Sequence, residues 1–269
     1  MKVPFASVRS PRKGAMAQKE LMAHVISRVV PVYLVNEFPK SGGTWLKHML
    51  AESLNVPAWT KGRVSWGPCV LQGHWLAPRG SCRTVALFRD GRDVMVSFYY
   101  HCLFLNEFQN ASLVRSMRDR FRFDDYDDIR SNLLPFMRGI HDNPMSPSFR
   151  WLDFVEAWIG RDGVVTTRYE DLRADAPGEL DRIVTRLTGR CPPPGRSAGI
   201  AERHTMAAMR ERKEELNPGV AGRQEAQISF IRKGAVGGWS DVFTEEALEW
   251  FDARHATTLE RLGYATGRP

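Results

Sequence analysis

The stretch Phe38-Pro39-Lys40-Ser41-Gly42-Gly43-Thr44-Trp45 follows an apolar run, Val32-Tyr33-Leu34-Val35, and its reading decides the fold. The run predicts a buried strand over residues 32–38. Ser41, Gly42 and Gly43 form a loop of small residues. Trp45, Leu46, Met49 and Leu50 then recur at helical spacing, so a helix is expected over 44–55. A corner of this kind turns backbone N–H groups and a helix N-terminus toward one point, which suits a phosphate. Lys40 adds a positive charge there. The lysine precedes the glycines and no Gly-Lys-Ser/Thr follows, so the loop departs from the Walker A pattern and a triphosphate–magnesium site is disfavoured.

Working outward, 269 residues, 43% of them hydrophobic, fit a single domain over 1–269. The net charge of +7 favours anionic ligands without choosing among nucleic acid, membrane and a small phosphate ester. Lys2, Arg9, Arg12 and Lys13 make residues 1–14 read as a flexible basic terminus. Cys69, Cys82, Cys102 and Cys191 show no CxxC or zinc spacing, and a reduced, cytoplasmic protein is expected. No His/Cys/Asp cluster stands at ligand spacing, so no metal is expected. No run of about 18 apolar residues is present, so no membrane span is expected either.

Further strands are predicted at 69–74, 84–89 and 163–167. Helices are predicted at 15–29, with Leu21, Val25, Ile26 and Val29 inward, and at 93–105, where Asp90 is placed to cap or to favour the first turn. Others are expected at 148–159, with Trp151, Leu152, Val155 and Trp158 on one stripe, at 178–188 closed by Gly189, at 205–216 and at 245–262. Residues 217–238 read as a long Gly-rich loop. The charged stretch 106–146 reads as a helical or mobile insertion near the substrate mouth. Strands alternating with helices predict a three-layer α/β/α domain around a parallel sheet.

Residues 38–45 resemble the 5′-phosphosulfate loop of sulfotransferases that use 3′-phosphoadenosine 5′-phosphosulfate (PAPS). Its usual form is Pro-Lys-Ser-Gly-Thr-Thr-Trp, and Gly43 stands at the first Thr. Arg89-Asp90-Gly91-Arg92-Asp93-Val94-Met95-Val96-Ser97 is similar to the family's 3′-phosphate segment, with Arg89 and Ser97 at the matching positions. A guanidinium pairs two phosphate oxygens and a hydroxyl donates to a third. Arg232-Lys233-Gly234-Ala235-Val236-Gly237-Gly238-Trp239 resembles the loop that closes over the nucleotide, with Gly238 in place of an Asp. Tyr169-Glu170-Asp171-Leu172 is a weaker fourth match.

The resemblance implies a nucleotide-kinase-like fold and a binding set of Lys40, Ser41, Gly42, Gly43, Thr44, Trp45, Arg89, Ser97, Tyr169, Arg232, Lys233 and Gly234. Trp45 is the expected adenine stack, and Thr205 and Met206 sit where the family often has Thr-Ser-Phe. It implies PAPS as cofactor, adenosine 3′,5′-bisphosphate (PAP) as product and no metal. Lys40 is expected to follow charge onto the bridging oxygen and His74 to be the base, with His48 and Glu52 as rivals. Gln72 stands where many members have lysine. The partner is a small-molecule or glycan acceptor rather than a nucleic acid. Trp59, Trp66, Trp75, Phe98, Tyr99, Phe104 and Phe108 favour an apolar or aromatic acceptor hydroxyl. The family's dimer motif is only half kept, by Thr244 and Glu249, so the oligomeric state stays open. The alternatives are a P-loop-like kinase and a catalytically silent nucleotide-binding protein of this fold.

Overall fold

A computed structural model of the protein describes residues 11–60, 64–106, 110–211 and 234–268. Four strands form one parallel sheet in the order β2-β1-β3-β4: β1 Val32–Glu37, β2 Cys69–Gly73, β3 Arg83–Phe88 and β4 Val165–Arg168. The chain leaves β1 for β2 on one side and returns to β3 on the other. The carboxyl ends of β1 and β3 therefore flank the point where strand order reverses, where open α/β sheets place their ligands.

Alternation along the strands builds the layers. Tyr33, Val35, Val85 and Leu87 face one core with α2 (Gly43–Leu54), α8 (Ala176–Thr188) and α9 (Arg196–Arg203). Ala86 and Phe88 face the opposite core with α3 (Gly91–Leu103), α6 (Trp151–Trp158) and α11 (Glu245–Arg261). Val32, Leu34 and Leu71 pack with Met22, Ala23 and Ile26 beside α1 (Pro11–His24). Asp90 caps α3, its carboxylate accepting from Arg92 N–H, and Gly189 ends α8 at φ 75°.

Some expectations change. In and after α1 the buried stripe is Met22, Ala23 and Ile26, whereas Leu21, Val25 and Val29 are exposed. The helix stops at His24 and a 3₁₀ turn, Ile26–Arg28, follows, so one continuous 3.6-residue period does not run through the segment. On α6, Phe154 is buried and Leu152 only half-buried. The stretch 106–146 contains α4 (Ala111–Arg120) and α5 (Ile129–Asp142). Val114, Met117, Leu133, Phe136, Met137 and Ile140 from these helices are buried, and all but Val114 join the core of Phe98 and Tyr99. Trp59, Trp75, Phe98, Tyr99 and Phe104 are packed in cores, and Trp66 is exposed. Two short helices were not expected: α7 (Tyr169–Ala174), directly after β4, and α9. The predicted helix at 205–216 is described as α10, Met206–Glu211. Residues 1–10, Phe108, Arg232, Lys233 and the loop 217–233 lie outside the described residues.

Candidate functional site

The loops after β1 and β3 meet over a cavity of about 330 Å³. Lys40, Gly42, Gly43, Thr44 and Trp45 line it from the first corner, and Arg89, Asp93 and Ser97 from the second. Tyr169, Met206, Gly234 and Gly238 add to the wall. Three motifs far apart in sequence thus converge because the sheet places β1 and β3 side by side.

The first corner is shaped by backbone. Lys40 has φ 77°, a left-handed conformation that costs a non-glycine residue about 1 kcal/mol or more. It is held from the second corner, since Arg89 Nη1 donates to the Lys40 carbonyl at 3.0 Å. Gly42 (φ 101°) caps α2, and a Cβ there would run into the Tyr169 ring, so glycine is required on two grounds. The Ser41 hydroxyl is buried with no hydrogen-bond partner among the described residues.

The second corner is cross-linked. Arg89 Nη2 donates to the Ala235 carbonyl at 2.9 Å, and the guanidinium lies 4.4 Å from the Tyr169 ring centroid and 3.7 Å from the Asp93 carboxylate. Its Nε–H is buried and unpartnered among the described residues. Asp93 accepts from Gly237 N–H at 2.9 Å and Trp239 N–H at 3.0 Å, so α3 anchors the segment in which Gly238 stands for the family's Asp. Tyr169 Oη donates to the Gly234 carbonyl at 2.9 Å, and a Cβ on Gly234 would press on Tyr169 and Met206.

The adenine candidates divide. Trp45 and Met206 both line the cavity. The Trp45 indole N–H donates to the His204 carbonyl at 2.7 Å, and its ring meets Tyr169 edge-on at 5.9 Å. Thr205 is exposed, its hydroxyl capping α10 through Ala208 N–H, and it lies outside the cavity lining.

His74 lies just beyond β2. Its Nδ1 is 2.9 Å from the Glu37 carbonyl. A carbonyl only accepts, so the proton is on Nδ1 and Nε2 carries the lone pair. Burial, reinforced by Lys19, lowers its pKa to about 4, so the ring is neutral near pH 7. His101 on α3, lowered to about 3 by burial with Lys40 and His74 nearby, is neutral too. Of the rivals, Glu52 sits nine residues along α2 from Gly43, about 13 Å at 1.5 Å per residue. It pairs with Arg203 and His204, each at 2.6 Å. Neither His74 nor His48, which lies one turn into α2, is part of the cavity lining.

The sequence reading missed Glu37 at the phosphate loop, and also Met209, Asp241 and Val242 elsewhere in the lining. Glu37, the last residue of β1, is 2% exposed. Its carboxylate accepts from Gly43 N–H at 2.5 Å and from Gln72 Nε2 at 2.6 Å. Burial pushes its pKa up to about 7 against the opposing pull of these hydrogen bonds and of Lys40 and Arg89. The available signal was a single acid closing an otherwise uncharged, fully buried strand.

Among the described residues no helix is long and apolar enough to cross a membrane. The sulfotransferase domain model matches residues 74–263. Human sulfotransferase 2B1 is 25% identical over 253 residues, 80% of this chain and 62% of that protein. Mouse sulfotransferase 1E1 is 25% identical over 191 residues, 67% of this chain and 56% of that protein. The chain thus spans about three-fifths of the length of these two relatives. A crystal structure of mouse sulfotransferase SULT7A1 complexed with PAP superposes with a TM-score of 0.60 at 18% identity, covering 87% of this chain and 89% of that one, which shows the shared fold. With a domain match over most of its length, this chain belongs to the sulfotransferase family.

Proposed function

We propose that the protein transfers a sulfuryl group from PAPS to an acceptor hydroxyl or amine, in line, with His74 as the base. The observation that carries this reading is the convergence of the β1 and β3 corners and Gly234 on one cavity. The Ser41 hydroxyl and Arg89 Nε–H, buried and without a hydrogen-bond partner among the described residues, fit an anionic nucleotide, because such donors are costly to bury without an acceptor. When bound, PAPS supplies a sulfuryl group on a good phosphate leaving group.

The residues of the chain do the rest. The α2 N-terminus and Lys40 hold the 5′ side, where Lys40 stabilises charge on the departing oxygen. Arg89 and Ser97 hold the 3′-phosphate. Trp45 and Met206 hold the base. His74, neutral and with its tautomer set by the Glu37 carbonyl, takes the acceptor's proton at Nε2. A triphosphate–magnesium reading has less support, since the Thr44 hydroxyl is turned to Gln72 Oε1 at 3.3 Å.

Calorimetric titration with PAP in the absence of metal tests the reading. The wild type is expected to bind at about micromolar Kd, and a Lys40→Ala/Arg89→Ala variant to lose at least about a hundredfold, each lost charged contact being worth roughly 1.5–3 kcal/mol. A folded wild type that does not bind PAP overturns it. With an acceptor in hand, His74→Ala is expected to lower kcat by roughly 10²–10⁴ with PAP affinity unchanged.

A further inference from the structure

Two departures from the family pattern, Gly43 and Gln72, meet at one side chain. The Glu37 carboxylate lies over the first N–H of α2, and Gln72 donates to its other oxygen. A Cβ at position 43 would collide with that carboxylate, so Gly43 is what admits it. Glu37 also lines the nucleotide cavity beside Lys40 and Arg89. An acidic side chain therefore occupies the helix N-terminus that a 5′-phosphate or phosphosulfate needs.

We propose that Glu37 is a proton-controlled binding residue of the phosphosulfate loop: as a carboxylate it competes with the nucleotide's 5′ anion for the Gly43 N–H, and as a neutral acid it donates a hydrogen bond to that anion. This rests on the PAPS reading above. The cause is electrostatic. Two anions cannot share one N–H and one lysine in a site shielded from water, so the entering anion raises the carboxyl's proton affinity. Binding then takes one proton from solution at Glu37, with no other bond made or broken.

Among the described residues, the groups facing Glu37 leave it as the one expected to respond above neutral pH. Lys40 from its own loop and Arg89 from the β3 corner favour its charged form. Gln72 from β2 is neutral. His74 after β2 and His101 on α3, with pKa values of about 4 and 3, are already deprotonated there. Burial raises the pKa of Asp93 on α3, but its carboxylate is held in the charged form by Arg89 and by the Gly237 and Trp239 N–H groups. Glu37 itself, with a pKa of about 7, starts mostly ionised at pH 8. The phosphates of PAP have their second pKa near 6 and are ionised throughout that range.

The test is PAP titration by calorimetry from pH 7 to 9, repeated at pH 8 in HEPES and in Tris, whose ionisation heats differ. The wild type is expected to take up close to one proton per PAP bound at pH 8, with affinity falling by up to about tenfold per pH unit. Glu37→Gln, which keeps the amide–carboxyl shape but cannot ionise, is expected to show no uptake and a flat profile. Wild-type binding without proton uptake overturns the proposal and leaves the PAPS reading standing. Uptake that persists in folded Glu37→Gln also overturns it, by assigning the proton elsewhere. No PAP binding at any pH overturns the PAPS reading and this inference with it. Should Glu37→Gln not fold, the wild-type proton count decides, with Glu37→Ala as the second variant.

Discussion

The two strand-to-helix corners of the site solve one problem in opposite ways. Both end a buried parallel strand, both open a helix, and both offer groups to a phosphate. At the β3–α3 corner the charges are cross-linked. Asp90 caps its own helix, Asp93 holds Gly237 and Trp239, and Arg89 ties together the Lys40 and Ala235 carbonyls. At the β1–α2 corner an acid sits inside the cradle, held by Gly43 N–H and Gln72. The first arrangement is preorganised, and an anion meets donors already fixed. The second sets a like charge in the anion's place, so its readiness depends on a proton. The corners are also joined, since Arg89 steadies the left-handed Lys40.

The largest expected effect sharpens the contrast through stability. Glu37 has its pKa raised from 4.5 to about 7 in the fold. Between those values the native state binds more protons than the unfolded chain, so stability falls as pH rises through the window. At about 1.4 kcal/mol per pKa unit the loss is on the order of 3 kcal/mol by pH 8. Urea unfolding at pH 5 and pH 8 should show wild type losing about that much more than Glu37→Gln across the interval. Equal losses would mean that Glu37 carries no strain and that the two corners are alike.

How much of this was legible in the sequence follows the same division. Corners made by backbone and by short-range periodicity could be read: the loop glycines, the Asp90 cap and all four strands within about two residues, while Arg89 and Ser97 came only through the family resemblance. What could not be read depends on contacts across the fold. Glu37 gains its character from Gly43, six residues on, and Gln72, thirty-five on, and strand periodicity alone treats it as one more buried position. Asp93 looks like an ordinary first-turn acid until Gly237 and Trp239 arrive from a distant segment. Of the expected inward face of the first helix only Ile26 is buried, because Leu21, Val25 and Val29 form an equally regular stripe, and only packing against β1 and β2 selects Met22 and Ala23 beside Ile26. Of the two readings of 106–146, helical or mobile, the helical one holds for Ala111–Arg120 and Ile129–Asp142, and charge hid their bounds because polar faces outnumber the narrow apolar stripe that enters the core.

Breaking the cross-link is the next test. Asp93→Asn keeps shape but leaves one oxygen to serve two N–H donors, and it removes the carboxylate beside Arg89. A loss of about 2 kcal/mol is expected from one unsatisfied buried donor and a weakened charge contact. A shifted urea midpoint at constant slope would show it. A change under about 0.5 kcal/mol would mean that the C-terminal segment is held by other contacts, such as Arg92 stacked 4.0 Å from the Trp239 ring.

The smallest expected effect is the most specific to the β1–α2 corner. Gly43 opens α2 without the positive φ that reserves a site for glycine, so its backbone accepts alanine. In a helix alanine is favoured over glycine by about 0.5–1 kcal/mol, and without an obstacle Gly43→Ala should stabilise. The obstacle is Glu37, the group that the added Cβ would strike. Overpacking of this kind costs roughly 1–3 kcal/mol, so in the wild type the net change should be a loss of about 1 kcal/mol. In a Glu37→Ala background the same substitution should turn neutral or stabilising. The sign reversal, read as a coupling energy of about 1–2 kcal/mol in a double-mutant cycle, is what direct contact between the two residues requires. Additive effects would mean that the carboxylate leaves the cradle readily, and the β1–α2 corner would then present its N–H to an anion as openly as the β3–α3 corner presents Arg89.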